Sequence, residues 1–351
     1  MKISIILPAL SNKGPILVAK DIVSNLSLIN SDATFYIFYF DEIAEPIEVD
    51  CPAYWIKDHI NLNKLYESDI VHSHGIRPDF FIFRNRKKFK GKCISTLHGL
   101  ISKEYGLQFT ALGAKLIEFA WTTILRRHDN IVVLTEVMKK HYLQYFPVEK
   151  LHVINNGRNL STKMIDRQDI DLLVGLRKRY KLLGVACVLT KRKGLHQVVQ
   201  ALPMLSDYAF VVIGDGEERA ALEKQAELLG VKERCIFLGS RAEANRYNNF
   251  FDYYIFPSYM EGLPLALLEA AGAGKAIICS DINIHREIFS AEEVSFFELD
   301  NAQDLIRAVE KACFFKTQFE HKAIERYRAK FTADVMANLY NVLYKTLLNK
   351  Y

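Results

Sequence analysis

The chain has 351 residues, half of them apolar and a quarter charged, with a formal net charge of +5. That length favours two domains, and the composition excludes a disordered or fibrous chain. No run approaches the ~18 apolar residues needed to cross a bilayer, and the six cysteines form no CxxC pair, so a disulfide framework or zinc site is not expected.

The opening MKISIILPAL is apolar only over residues 3–10 and lacks a small-x-small cleavage site, so it reads as a buried strand and not as a signal peptide. Residues 16–28 then show helical periodicity. ATFYIFYF (33–40), SDIVHSHG (68–75), KCISTLHG (92–99), NIVVLT (130–135) and LHVINNG (151–157) read as strands running into loops, with a helix over 109–127. A polar, charged stretch between 157 and 180 separates this series from a second one. There LLGVACVLT (182–190), YAFVVIGDG (208–216), CIFLG (235–239), YYIFPS (253–258), KAIICSD (275–281) and EVSFFEL (293–299) alternate with helices, and the chain is helical from residue 301. Short apolar strands separated by helices of about 10–15 residues imply βαβ units with sheets buried on both faces. Two such series predict an α/β protein with two Rossmann-like, doubly wound parallel-sheet domains. Ligands of such sheets bind beyond the carboxyl ends of the strands.

The loops at those ends carry the chemistry. In EGLPLALLE, Glu261 and Glu269 bracket Gly262, Leu263, Pro264 and Leu265. Pro264 fits a helix's first turn, Gly262 allows close backbone approach, and the free amides of a helix start suit phosphate. Two carboxylates beside a phosphate site are acceptors for sugar hydroxyls, against a plainer reading as one capping and one exposed acid. TKRKG offers Lys191, Arg192 and Lys193 to a diphosphate. GDGEER has Arg219 where a dinucleotide fingerprint needs its third glycine, which argues against a dehydrogenase. His74 and His98 each end a strand beside a glycine. RNRKKFKGK (84–92), after DFFIF, has six basic residues and suits an anionic membrane surface or a lipid diphosphate. The helical stretch 115–127 reads as a core or an interface helix. Nucleic acid fits less well, since no reading motif accompanies the charge. DID (169–171) lies in the polar linker, away from any strand end.

These landmarks together resemble the retaining glycosyltransferases of family 4, which have the GT-B fold. Glu261 and Glu269 match the E-x7-E motif, FPSYMEGLPLALLEAAGAGKAIICSD its surroundings, and VHSHG, STLHG and VINNG the amino-terminal half. The resemblance implies an acceptor-binding domain over 1–163, a nucleotide-sugar-binding domain over 164–332 facing it across a cleft, and a last helix over about 333–351 crossing back onto the first. It implies that Glu269 binds the donor ribose and Glu261 the transferred sugar. The backbone of 262–265 and Lys193 would hold sugar and diphosphate, His98 would approach the donor sugar, and Gly14 would lie near the diphosphate. The family's usual arginine is replaced by Val188 or Cys187, leaving Lys191 and Arg192 as candidates to take its place.

The expected reaction is metal-independent transfer, with no cofactor, from a UDP- or GDP-sugar to a glycan or polyprenyl-diphosphate-linked acceptor. The expected setting is surface-polysaccharide synthesis in the cytoplasm or at the inner face of the membrane. A sugar-nucleotide epimerase and a non-catalytic partner subunit are the rival readings.

Overall fold

The computed structural model describes residues 1–106, 109–160, 164–242 and 244–348. The chain divides into two compact units, residues 1–158 with 330–351 (unit 1) and residues 159–329 (unit 2). The expected domain boundary at 163 and the last three residues of the expected terminal helix lie outside the described residues.

In unit 1, strands β1 (Lys2–Ala9), β2 (Thr34–Asp41), β3 (Ala53–Trp55), β4 (Ile70–His74), β5 (Lys92–Leu97), β6 (Asn130–Val133) and β7 (Leu151–Val153) form one parallel sheet in the order 3-2-1-4-5-6-7. The helices between them are α1 (Gly14–Ile29), α2 (Leu62–Tyr66), α3 (Ile76–Asn85), α4 (Ile101–Tyr105), α5 (Ala111–Leu125) and α6 (Glu136–Tyr142). β4 is buried at every residue and β1 nearly so. This is why neither strand alternates apolar with solvent-facing polar residues, and why β4 buries His72, Ser73 and His74 beside Ile70 and Val71.

Unit 2 begins with α7 (Arg167–Arg177), in the stretch read as a linker. Its sheet contains β8 (Lys181–Ala186), β9 (Tyr208–Ile213), β10 (Cys235–Gly239), β11 (Tyr253–Phe256), β12 (Ala276–Ser280) and β13 (Ser295–Phe297), in the order 10-9-8-11-12-13 and parallel throughout. Between and after them come α8 (Leu195–Ala201), α9 (Arg219–Leu228), α10 (Leu265–Gly272), α11 (Asn283–Ile288), α12 (Ala302–Phe314) and α13 (Lys316–Lys330).

The helical tail breaks into three pieces. Its last, α14 (Ala333–Leu348), belongs to unit 1, where it packs on α1 and buries Tyr340 and Tyr344. All six cysteines are unpaired; Cys93, Cys235 and Cys279 are buried and the other three half-buried. No helix among the described residues is long and apolar enough to cross a membrane.

Candidate active site

In each sheet the strand order reverses once, between β1 and β4 and between β8 and β11. Loops leaving adjacent strands on either side of a reversal diverge and leave a crevice between them. In unit 2 those two loops are the basic turn after β8 and EGLPLALLE after β11.

The basic turn folds as one tight 3-10 turn, Lys191–Lys193, and ends on Gly194 in the left-handed conformation (φ 64°). A Cβ at residue 194 would sit 2.2 Å from the Pro257 carbonyl oxygen and 2.6 Å from Gln197 Nε2, so only glycine lets the two loops meet. Gln197 fastens them further: its amide donates to Pro257 O (3.1 Å) and its oxygen accepts from the Asp300 amide (2.7 Å).

On this frame Lys193 Nζ donates to Glu261 Oε1 at 2.7 Å. Arg192 Nη1 donates to Met260 O at 2.9 Å and reaches Glu261 Oε2 at 3.4 Å. The ammonium of Lys193 also stands 5.0 Å from the Phe256 ring centre. Burial alone would raise the Glu261 carboxyl, but Lys193 and then Arg192 outweigh it, and its pKa is lowered. Glu261 is therefore a buried, ionised acceptor between two cations.

The helix α10 starts at Leu265, with Pro264 as its N-cap in extended conformation. This corrects the expectation that Pro264 lies in the first turn: proline's fixed φ serves equally at the cap, where its carbonyl accepts from Leu267 (3.1 Å) and Leu268 (3.3 Å). The amides of 262, 263, 265 and 266 precede that ladder. Glu269 is half-buried on α10, and both it and Glu261 act on the buried Tyr254 hydroxyl, whose pKa is raised mainly by burial. The two acids of the motif thus share one neighbourhood.

His285 on α11 went unnoticed in the sequence, since INIHRE has no recognisable spacing. Its Nδ1–H donates to Ser280 O (2.8 Å), its Nε2 is buried without a hydrogen-bond partner, and burial lowers it to about 4. Arg219, by contrast, is engaged by Asp215 and Glu223 at 2.9 Å each. Asp169 of DID is a structural anchor, holding Arg241 (2.7 Å) and the Tyr247 hydroxyl (2.5 Å).

In unit 1, a pocket of about 440 Å³ opens at the reversal between β1 and β4, lined among others by Lys13, Asp41, His74, His98 and Glu104. Gly14 opens α1 at its rim. His74 Nδ1 and His98 Nε2 are 2.8 Å apart, and burial lowers His74 well below the usual value and His98 to about 4, so both rings are neutral at pH 7. One ring must donate to the other. His74 Nε2 is buried and unpartnered, and a bare acceptor is cheaper to bury unpaired than an N–H. Donation from His74 satisfies that condition and turns His98 Nδ1 into a donor.

Behind them His72 bonds the Tyr344 hydroxyl and Thr96 Oγ1, both at 2.7 Å, and Thr96 bonds Tyr340 (2.9 Å). The terminal helix therefore supports the histidine cluster from below. Among the described residues no group of three His, Cys, Asp or Glu side chains could hold a metal ion.

In the basic run 84–92, expected to suit an anionic membrane surface or a lipid diphosphate, three of the six cations have acidic partners. Arg86 pairs with Asp129 (2.8 Å), Lys90 with Glu67 (3.1 Å), and Lys92 lies 4.0 Å from Asp129. Two acids far away in sequence, Asp129 and Glu67, thus face three of its six cations.

Residues 52–162 match the family model described as Glycosyltransferase Family 4, and residues 167–328 the model described as Glycosyl transferases group 1. The chain belongs to glycosyltransferase family 4. This glycosyltransferase is 28% identical over 369 residues to the O-antigen biosynthesis glycosyltransferase WclY of Escherichia coli, covering 100% of the chain and 99% of that protein. It is 25% identical over 281 residues to the UDP-Gal:alpha-D-GlcNAc-diphosphoundecaprenol alpha-1,3-galactosyltransferase of Escherichia coli, over 72% of the chain and 69% of that protein. The crystal structure of Anabaena HepE in complex with UDP and glucose matches it with a TM-score of 0.81 at 17% identity, covering 99% of this chain and 100% of that one. The glycosyltransferase has the GT-B fold.

Proposed function

We propose that this glycosyltransferase moves a sugar, with retention, from a UDP- or GDP-sugar to a hydroxyl of a glycan or polyprenyl-diphosphate-linked acceptor. The setting is the synthesis of O-antigen, capsule or another surface polysaccharide at the inner face of the cell membrane. The observation that carries the reading is the Lys193–Glu261–Arg192 cluster beside the open amides at the start of α10. It combines positive charge and N–H donors for a diphosphate with carboxylates for hydroxyl groups. The relatives named for O-antigen biosynthesis and for transfer to a diphosphoundecaprenol acceptor support the pathway and the acceptor class.

In this reading unit 2 binds the donor and unit 1 the acceptor. Glu269 accepts from the ribose hydroxyls and Glu261 from the transferred sugar. Lys193, Arg192 and the backbone of 262–265 take the diphosphate, with Arg192 standing in for the family's usual arginine. In the unit 1 pocket His98 donates from Nδ1 to a sugar hydroxyl, and Gly14 leaves room for phosphate. The C–O bond to the diphosphate breaks, the sugar passes through an oxocarbenium-like state, and the acceptor hydroxyl attacks the same face. Its proton leaves with the departing phosphate. Catalysis consists of positioning and stabilisation of the leaving charge, with no metal ion.

A thermal-shift screen of nucleoside diphosphates and their sugars tests this, because ligands of the folded state raise its melting temperature. One base is expected to stabilise the protein, and Glu269→Ala to abolish both that shift and donor turnover. Unchanged turnover in Glu269→Ala overturns the assignment. Conversion of a nucleotide sugar without acceptor would favour the epimerase reading.

A further inference from the structure

Among the described residues Asp300, just past β13, is the one non-glycine with a positive φ (59°). Aspartate tolerates the left-handed region better than most side chains, but a backbone held there points to a constraint worth explaining. Two contacts hold it. Its amide donates to Gln197 Oε1 (2.7 Å), and its carboxylate accepts from the Tyr259 hydroxyl. The hydroxyl has a single proton, so in its 3.2 Å contact with His196 Nε2 the imidazole is the donor. The rings of His196 and Tyr259 lie within 14° of parallel, their centres 6.0 Å apart. The left-handed turn thus lets one residue offer its amide to Gln197 and its carboxylate to Tyr259. Segments following β8, β11 and β13 meet on one phenol.

Tyr259 also begins the stretch that Arg192 binds. Its amide donates to Arg192 O (2.9 Å), and Arg192 Nη1 returns to Met260 O (2.9 Å) and Glu261 Oε2 (3.4 Å). Three consecutive residues therefore engage one arginine, and the side chain of the first ties them to the loop after β13. Tyr259 and His196 are half-buried and Asp300 is exposed, so the tie lies at the surface of unit 2 and not in its core.

We propose that Tyr259 is a positioning residue for the donor site. Anchored by Asp300 and His196, it fixes residues 259–261 and, through them, the Arg192 guanidinium and the Glu261 carboxylate. The inference rests on the assignment of Arg192 and Glu261 to the donor. Groups held in place beforehand lose less freedom on binding. Loosening the anchor therefore weakens binding while every group assigned to the ligand is still present.

Position 300 gives a discriminating test, because glycine and asparagine both accept a left-handed backbone but only asparagine offers Tyr259 an oxygen. Hydrogen–deuterium exchange over residues 257–265, which include the Tyr259 amide, and calorimetry with UDP and with GDP read the full chain. Tyr259→Phe and Asp300→Gly should each speed exchange there and weaken nucleoside-diphosphate binding about tenfold, the worth of one hydrogen bond to a charged group. Combined, they should lose no more than either alone, since both break the same bond. Asp300→Asn should stay close to the unaltered protein in both measurements. A purely backbone role predicts the reverse order, with glycine equal to or better than aspartate. Unchanged exchange and binding in Asp300→Gly, additive losses, or asparagine as impaired as glycine overturns the proposal. If the unaltered protein binds neither UDP nor GDP, the donor assignment falls, while exchange over 257–265 still decides whether the anchor holds this loop.

Discussion

Lys193→Met isolates the charge cluster at the centre of the site. Lys193 Nζ lies 2.7 Å from Glu261 Oε1 and Arg192 Nη1 lies 3.4 Å from Oε2, with Glu261 buried. At an effective dielectric of about 20 those contacts are worth about 6 and about 5 kcal/mol before desolvation. Removing one partner of a buried pair costs about 3–5 kcal/mol. Because Arg192 remains, we place Lys193→Met at the low end, about 3 kcal/mol at about pH 7.5.

The sign of the pH dependence is the sharper test. In the native protein the Glu261 carboxyl is held below its ordinary 4.5, so its contribution is present at neutral pH and is lost as pH falls through the folded value. Without Lys193, burial outweighs the remaining cation and the carboxyl rises above that value. The folded variant then binds the extra proton, and its deficit shrinks on acidification by up to about 1.4 kcal/mol per pH unit. Glu261→Gln on the same background should return stability to within about 1 kcal/mol of the native protein, because both charges are then gone. Urea unfolding followed by circular dichroism reads this, since Trp55 and Trp121 both lie in unit 1 and tryptophan fluorescence reports that unit. A coupling energy below about 0.5 kcal/mol, together with a deficit independent of pH, would refute the reasoning.

Gly194→Ala should cost about 2 kcal/mol or more, from the left-handed backbone and the 2.2 Å approach to Pro257, and should weaken nucleoside-diphosphate binding by displacing Lys193. Native-like stability and binding in that variant would contradict the loop geometry. Acid should destabilise unit 1 strongly. Burial lowers His72 and His128 to about 3, His98 to about 4 and His74 well below normal, so the unfolded chain takes up protons first as pH falls below the ordinary 6.5. Each costs about 1 kcal/mol between about pH 7 and about pH 5.5, while Asp79, pushed up to about 6 by burial, opposes them in part. Tryptophan-detected denaturation at the two pH values should show the loss, and equal midpoints would argue that the histidines are charged in the fold.

What could be read from the sequence had local causes. The parallel strands announced themselves because both their faces are buried, and E-x7-E because its spacing lies within one loop and one helix. The edge strand Ala53–Trp55 escaped notice: it is three half-buried residues long, too short for a pattern. Helix α7 reads as a linker because, with Asp169 and Leu173 its buried residues, its stripe is narrow and half polar. The pairing of Lys193 with Glu261 spans 68 residues and that of His72 with Tyr344 spans 272, and no local periodicity encodes either. The ion pairs of the basic run 84–92 are hidden for the same reason, since Glu67 and Asp129 stand far away along the chain.

The return of α14 to unit 1 has a consequence for biogenesis. The half of the protein that is translated first is also the half completed last. Until Tyr340 and Tyr344 emerge, His72 and Thr96 have no phenol to bond, and the flank of α1 that α14 will cover stays open to solvent. Unit 2, continuous from 159 to 329, needs no residue from outside that span to close its sheet. On the ribosome the order of maturation is therefore inverted: the carboxyl-terminal unit can settle while its predecessor waits as an exposed intermediate, the state most prone to aggregate.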